Sequence, residues 1–309
     1  MTPHEAIRQS LESIRTDFWE LDPKTKQPVR ELKLHEFASF LACERPLPLN
    51  ATILRDFAGQ AIKPKALGEK YQPDFDFSST FFTDDQPFNN QYMFVGLNVA
   101  ARTGAADTRE WWNFHDKKLP TNTFKLYLEL NQDERYRGCY ITDVIKNTVD
   151  SDSANVGQNF FFTKSKKLSF IQPVSDQQRA AKLFEWDKNA AATALATDQP
   201  YERLYASMAD ALQEVVTNHE VFNKSARLFV AECKAINPEK IIVFGDTAKE
   251  ALTQMLATTA FDNEPAVRKL VENCAEIRHY AYRKNFNAWI TEYAPKAITD
   301  VEDTVIIDQ

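Results

Sequence analysis

Four short runs limit the folds open to this chain: YMFVGL (residues 92–97), CYITDVI (139–145), KIIVFG (240–245) and AEIRHY (275–280). All four read as buried strands, and the intervals between them leave room for helices. That pattern predicts an α/β fold: a three-layer α/β/α sandwich around a short central parallel sheet of about four strands. The third run shows the strand-to-helix junction best. In FGDTAKEALTQML, Asp246 or Thr247 stands at a helix N-cap, and Leu252, Met255 and Leu256 form an apolar stripe. Upstream, Leu204, Met208, Leu212 and Val215 recur at helical spacing, and SARLFVAECKAINPEK reads as a second helix stopped near Pro238.

Residues 1–90 read as a mostly helical N-terminal region packed on the core, with Pro-broken connections. Residues 91–309 read as the α/β core, carrying an insertion at about 148–200. That interval is too long for a plain connection. It holds an aromatic, basic piece, FFFTKSKKLSF, and an Ala-rich helical piece near NAAATALA. Glycine is scarce, 7 of 309 residues, so each position carries information. Gly96 and Gly245 close strands, Gly104 lies in the loop after Asn98, and Gly138 precedes a strand.

Composition narrows the function classes. A net charge of -7 argues against a nonspecific DNA coat and leaves room for a local basic groove. Cys43, Cys139, Cys233 and Cys274 lie far apart with no CxxC spacing, which predicts buried free thiols and no cysteine-ligated metal cluster. The five histidines are scattered, so no structural zinc site is expected. The start MTPHEAIRQSLESIR does not read as a signal peptide, and no stretch nears the roughly 18 apolar residues of a membrane helix. The expectation is a cytoplasmic protein with no membrane partner.

Open parallel sheets bind ligands outside the carboxyl ends of their strands. The chemistry is therefore sought at Asn98, at Asp143 to Asn147, at Asp246, and at His279 with Tyr280. GxxxxGK[ST], GxGxxG and GxSxG are all absent.

At these positions the order of segments resembles the uracil-DNA glycosylase superfamily. GLNVA (96–100) stands for the motif that closes the first strand, and RHYAY (278–282) for the one that closes the last. ITDVIK (141–146) resembles the middle, base-reading strand, and INPEKIIVFGDTA (236–248) the segment after the long helix. The resemblance covers about residues 91–290. The chain departs from it at Val99, where many relatives have Pro, at Tyr280 and Ala281, where Pro and Ser are common, and at Asp143, where several place Asn.

The resemblance implies a DNA glycosylase that hydrolyses the N-glycosidic bond of a flipped uracil or other deaminated base, with no metal or cofactor. Asn98 positions the water, and His279 stabilises the leaving base by hydrogen bonding. Gly96, Leu97, Phe114 and Asp143 hold the base, with Trp111 and Trp112 as alternates to Phe114. A carboxylate at 143 only accepts hydrogen bonds, so it suits a donor-rich base edge. DNA contacts are expected from Arg102, Lys146, Arg278, Tyr282, Arg283 and Lys284. Lys164, Lys166 and Lys167, interleaved with Phe160, Phe161, Phe162 and Phe170, read either as a second contact strip or as a solvated hairpin. Each role has a plainer counterpart. Asn98 reads equally as a strand-end cap, His279 as a satisfied core histidine, Asp143 as a cap or a partner of Lys146, and the aromatics as loop packing. A noncatalytic nucleic-acid-binding protein on the same fold is the alternative.

Overall fold

The computed structural model describes residues 1–22, 24–60, 62–99, 110–115, 120–150 and 153–280. The chain opens on helix α1 (Pro3–Glu12). Pro3 takes the first turn, where a missing N–H costs nothing, and Thr2 Oγ1 accepts from the Glu5 N–H. Strands β1 (Trp19–Leu21) and β2 (Pro28–Glu31) form an antiparallel hairpin. After β3 (Ala38–Phe40) come β4 (Cys43–Arg45), helices α2 (Asn50–Asp56) and α3 (Pro64–Tyr71), and β5 (Asp74–Phe77), which pairs with β4. The expectation of a mostly helical region over residues 1–90 is therefore corrected. Strands of three or four residues are too short for an alternating period to register in the sequence.

The core begins with β6 (Tyr92–Val99), followed by α4 (Pro120–Leu130) and β7 (Tyr140–Val149). Then come α5 (Ser153–Asn159), α6 (Asp176–Ala196), α7 (Met208–Ile236), β8 (Lys240–Phe244), α8 (Asp246–Met255), α9 (Pro265–Glu272) and β9 (Ala275–Ile277). The central sheet has the order β3-β7-β6-β8-β9. Strands β7, β6, β8 and β9 run parallel, and β3 adds an antiparallel edge against β7. The parallel strands thus stand in the sequence order second, first, third, fourth, and the topological switch lies between β6 and β8.

Strand β6 shows why these runs are apolar throughout. Met93, Val95 and Leu97 join the core made with α1 and α5 to α9, whereas Tyr92 and Phe94 join the core made with α2, α3 and α4. Both faces are covered, so both alternating sets must be apolar. The three-layer sandwich with four short parallel strands is what the chain builds, with one further edge strand from the N-terminal region.

Helix α7 is a single helix of 29 residues, where the sequence reads as two. A capping box between Ser207 and Asp210 starts it, and Asn237, with φ +50°, ends it one residue before Pro238. Leu204 lies outside it and is exposed. The interval 148–200 is occupied by the end of β7, α5, a 3-10 turn over Thr163–Leu168, and α6, which packs on α7. Phe160, Phe161, Phe162 and Phe170 are all buried, and Phe170 stacks on His219 with ring centroids 4.5 Å apart. Lys166 pairs with Glu250 at 2.6 Å. The aromatics of this piece thus form a core layer with Lys166 and Lys167 exposed at its rim, which corrects the solvated hairpin and the aromatics' part in a contact strip. Among the described residues no helix is long and apolar enough to cross a membrane. Cys139 and Cys233 are buried, Cys43 and Cys274 partly so, and all four are free thiols.

Candidate functional site

Parallel pairing sets Gly96 of β6 opposite Asp143 of β7 at the carboxyl end of the sheet. A Cβ at position 96 would lie 2.5 Å from Asp143 Oδ1 and 3.5 Å from the edge of the Phe114 ring. Only glycine lets the carboxylate and the ring approach this closely. Asn113 fixes the carboxylate from the other side. Its Nδ2 donates to Asp143 Oδ2 at 3.0 Å and to the Phe37 carbonyl at 2.9 Å. Asp143, Asn113 and Phe114 are all buried.

The segment that brings Asn113 and Phe114 here is strained. Trp111 and Phe114 have φ of +58° and +68°, a region that bulky side chains avoid, at a cost of about 1–3 kcal/mol each. Surrounding bonds hold them there. The Trp111 N–H donates to the His35 carbonyl, Ser39 Oγ donates to the Trp111 carbonyl, and the Phe114 N–H donates to Asn113 Oδ1. His115 anchors the end of the segment, with Nδ1 2.7 Å from the Phe75 carbonyl and Nε2 3.0 Å from the Phe40 carbonyl. The Tyr127 hydroxyl also lies 3.2 Å from Nδ1, so a ring donating from Nε2 to Phe40 accepts at Nδ1 from the hydroxyl.

On the other side of the switch, Gly245 closes β8 with φ +82° and donates its N–H to the Ile277 carbonyl at 2.8 Å. A Cβ there would meet His279 Cβ at 3.5 Å. The His279 ring stacks on Tyr280 at 4.4 Å and meets the edge of Phe244. Burial among these groups lowers its pKa to about 4, so the imidazole is neutral at pH 7.

Asn98 ends the regular pairing of β6. Its Nδ2 donates to the carbonyls of Thr148 (3.3 Å) and Asp150 (2.9 Å), and the register with β7 slips just beyond it. The amide nitrogen thereby ties down the end of β7, the structural role open to a strand-end asparagine. Its carbonyl oxygen is the part of the side chain suited to accepting a bond from water.

The other sequence-predicted residues divide clearly. Leu97 is a core side chain. Lys146 is wholly buried, its ammonium paired with Glu232 of α7 at 2.8 Å and donating to the Asp143 carbonyl at 2.6 Å and to Thr142 Oγ1. That removes it from the DNA-contact set, because a fully enclosed ammonium meets no phosphate. Its side chain also pairs with Glu232, not with the Asp143 carboxylate. Arg278 is partly exposed, and its charge acts on Glu129 of α4. Trp111 is core, and Trp112 is partly buried. Arg102, Tyr282, Arg283 and Lys284 lie outside the described residues, as does the Gly104 loop, and the Lys164 side chain is likewise not described.

Several residues of this region escaped the sequence reading. Asn113 and His115 sit in the same WWNFH stretch as the aromatics that drew attention, and their short-range pattern carries no signal of what they hold. Glu129 is buried, and among the described residues neither carboxyl oxygen has a hydrogen-bond partner. Burial pushes its pKa well above the usual carboxylate range, only partly opposed by Arg278. One group suited to a metal ion also emerges: Glu12, His35 and Glu110 place their ligand atoms within 4.8 Å of one another. A groove of about 520 Å³ lies at the opposite end of the sheet, between Lys240 at the start of β8 and Ala266, Lys269 and Leu270 of α9, and it involves none of the residues above.

No family model matches the chain, and no curated protein or solved structure matches it.

Proposed function

We propose that the chain is a DNA base-excision glycosylase of the uracil-DNA glycosylase type, acting on a flipped uracil or other deaminated base. The observation that carries this reading is the placement of a neutral His279 just past β9 and of Asn98 near the carboxyl end of β6, on the two sides of the sheet's switch point. Breaking an N-glycosidic bond leaves negative charge on the base and oxocarbenium character on the sugar. A neutral imidazole donates to the departing base's oxygen without first having to be protonated. A weak nucleophile then suffices, and water accepted by the Asn98 side-chain oxygen supplies it. Phe114 and Asp143, gathered over Gly96, form the base wall: the ring gives an apolar surface and the carboxylate accepts from N–H groups on the base edge. The chemistry needs no metal.

The test is base release from oligonucleotides carrying uracil, hypoxanthine, xanthine or a thymine mismatch, single- and double-stranded. The expected result is release of one of these bases, reduced by two or more orders of magnitude in Asn98→Ala and His279→Ala, in line with the loss of one oxyanion donor. Full activity in Asn98→Ala would remove that residue from the mechanism.

A second reading is a noncatalytic nucleic-acid-binding protein on this fold. One observation favours it: the Asn98 amide nitrogen is engaged by backbone carbonyls. Salt-dependent DNA binding without release of any base would select it.

A further inference from the structure

We propose that Glu12, His35 and Glu110 form a binding site for a divalent transition-metal ion that clamps α1 to the segment bearing Phe114. The inference is independent of the glycosylase reading, and the ion takes no part in base release.

Three separate parts of the chain meet here. Glu12 is the last residue of α1, His35 lies in the 3-10 turn Leu34–Glu36 ahead of β3, and Glu110 directly precedes Trp111. The bond from the Trp111 N–H to the His35 carbonyl, at 3.1 Å, draws Glu110 to His35. The three ligand atoms then stand within 4.8 Å of one another. Arg8 grips one oxygen of each carboxylate: Nε meets Glu12 Oε1 at 2.8 Å and Nη2 meets Glu110 Oε2 at 2.9 Å. Arg8 thereby holds the two carboxylates in place beside each other.

The independent observation is His35 Nδ1. This ring nitrogen is shut off from water and has no hydrogen-bond partner among the described residues. Buried polar atoms are nearly always partnered, so each exception calls for an explanation. On a ring grouped with two carboxylates, a bound metal ion provides one. The donor set of one imidazole nitrogen and two carboxylate oxygens suits Zn²⁺, Mn²⁺ or Fe²⁺. It does not suit Ca²⁺, which takes six to eight oxygens, or thiolate-seeking Cu⁺. Three protein ligands leave coordination positions for water.

The full chain, stripped with a chelator and dialysed, is titrated with Zn²⁺ by calorimetry, and in parallel with Co²⁺ followed by visible absorption. The variants are Glu110→Gln and His35→Gln. Glu110 is about half exposed, so its substitution removes a ligand without disturbing the core. The expected result is one equivalent of Zn²⁺ bound and a melting temperature raised by saturating Zn²⁺. Affinity falls roughly tenfold or more in both variants, and the thermal shift is lost in Glu110→Gln. Absence of Zn²⁺ and Co²⁺ uptake by the wild-type chain would overturn the proposal. So would uptake that is unchanged in Glu110→Gln, which would place the ion elsewhere.

Discussion

His279 is a residue whose chemistry its surroundings alter. Its lowered pKa ties stability to pH with a definite sign. The unfolded chain protonates this imidazole near its ordinary value of about 6.5, while the folded chain resists protonation down to about 4. Between those values the unfolded state binds more protons, so acid favours unfolding. The contribution is fully present above pH 6.5, is lost as pH falls toward 4, and changes by at most about 1.4 kcal/mol per pH unit. Urea titrations at pH 7, 6, 5 and 4 should show a shallower decline for His279→Ala than for the wild-type chain. Parallel slopes for the two proteins would contradict a neutral, buried His279. The same neutrality bears on the proposed catalysis, since a neutral donor makes base release insensitive to His279 titration across pH 6 to 8.

Between elements, the contact of β7 with α7 rests on polar groups as well as on packing. Lys146 and Glu232 are fully enclosed, and the Tyr140 hydroxyl (2.8 Å) and Thr142 Oγ1 (2.7 Å) both donate to Glu232 Oε1. An enclosed pair adds little net stability when complete, but breaking it leaves one charge buried alone. Lys146→Ala is expected to lose about 3–5 kcal/mol, and Lys146→Met combined with Glu232→Leu to recover most of that loss. Denaturant midpoints of the single and double variants decide it, and a single variant as stable as the wild type would refute the account. The reading of Lys146 as a DNA contact failed here for a physical reason. Sequence places it just past an apolar strand, where a lysine is normally solvated, and only the arrival of α7 supplies the buried partner. The segment 110–115 teaches the same lesson, because its left-handed residues are held by Ser39, His35, Phe37, Phe40 and Phe75, all distant in the chain.

For the whole molecule, the N-terminal region is part of the fold and not an appendage. Strand β3 covers the edge of β7, with Ala38, Ser39 and Phe40 opposite Thr142, Ile141 and Tyr140 and all three buried. Phe40 touches the rings of Phe77, Phe81, Phe82, Phe88, Trp111 and Tyr140. Deleting residues 1–46 would expose the edge of β7 and this aromatic cluster, leaving a surface prone to strand addition. The shortened chain is expected to lose cooperative thermal unfolding by circular dichroism and to aggregate. A cooperative transition at the full chain's melting temperature would show that the region merely decorates the core.

The sequence by itself determined the layered α/β architecture, the four parallel strands and the glycine that closes β8, whereas Gly96, read as a strand end, lies inside β6. These follow from local rules: doubly buried strands must be apolar on both faces, helices show their period over many residues, and a glycine marks a place where a Cβ does not fit. The same rules located the helices α6 and α8 and the stop at Pro238. Tertiary structure alone decided the rest. It joined Asp143 to Asn113 over Gly96, turned the Asn98 amide toward Thr148 and Asp150, enclosed Lys146 with Glu232, and sank the aromatics of residues 160–170 into the core. It also brought Glu12, His35 and Glu110 together from three separate segments. Partners of this kind are set by three-dimensional approach between residues roughly 20 to 100 positions apart, and no periodicity in a sequence records such an approach.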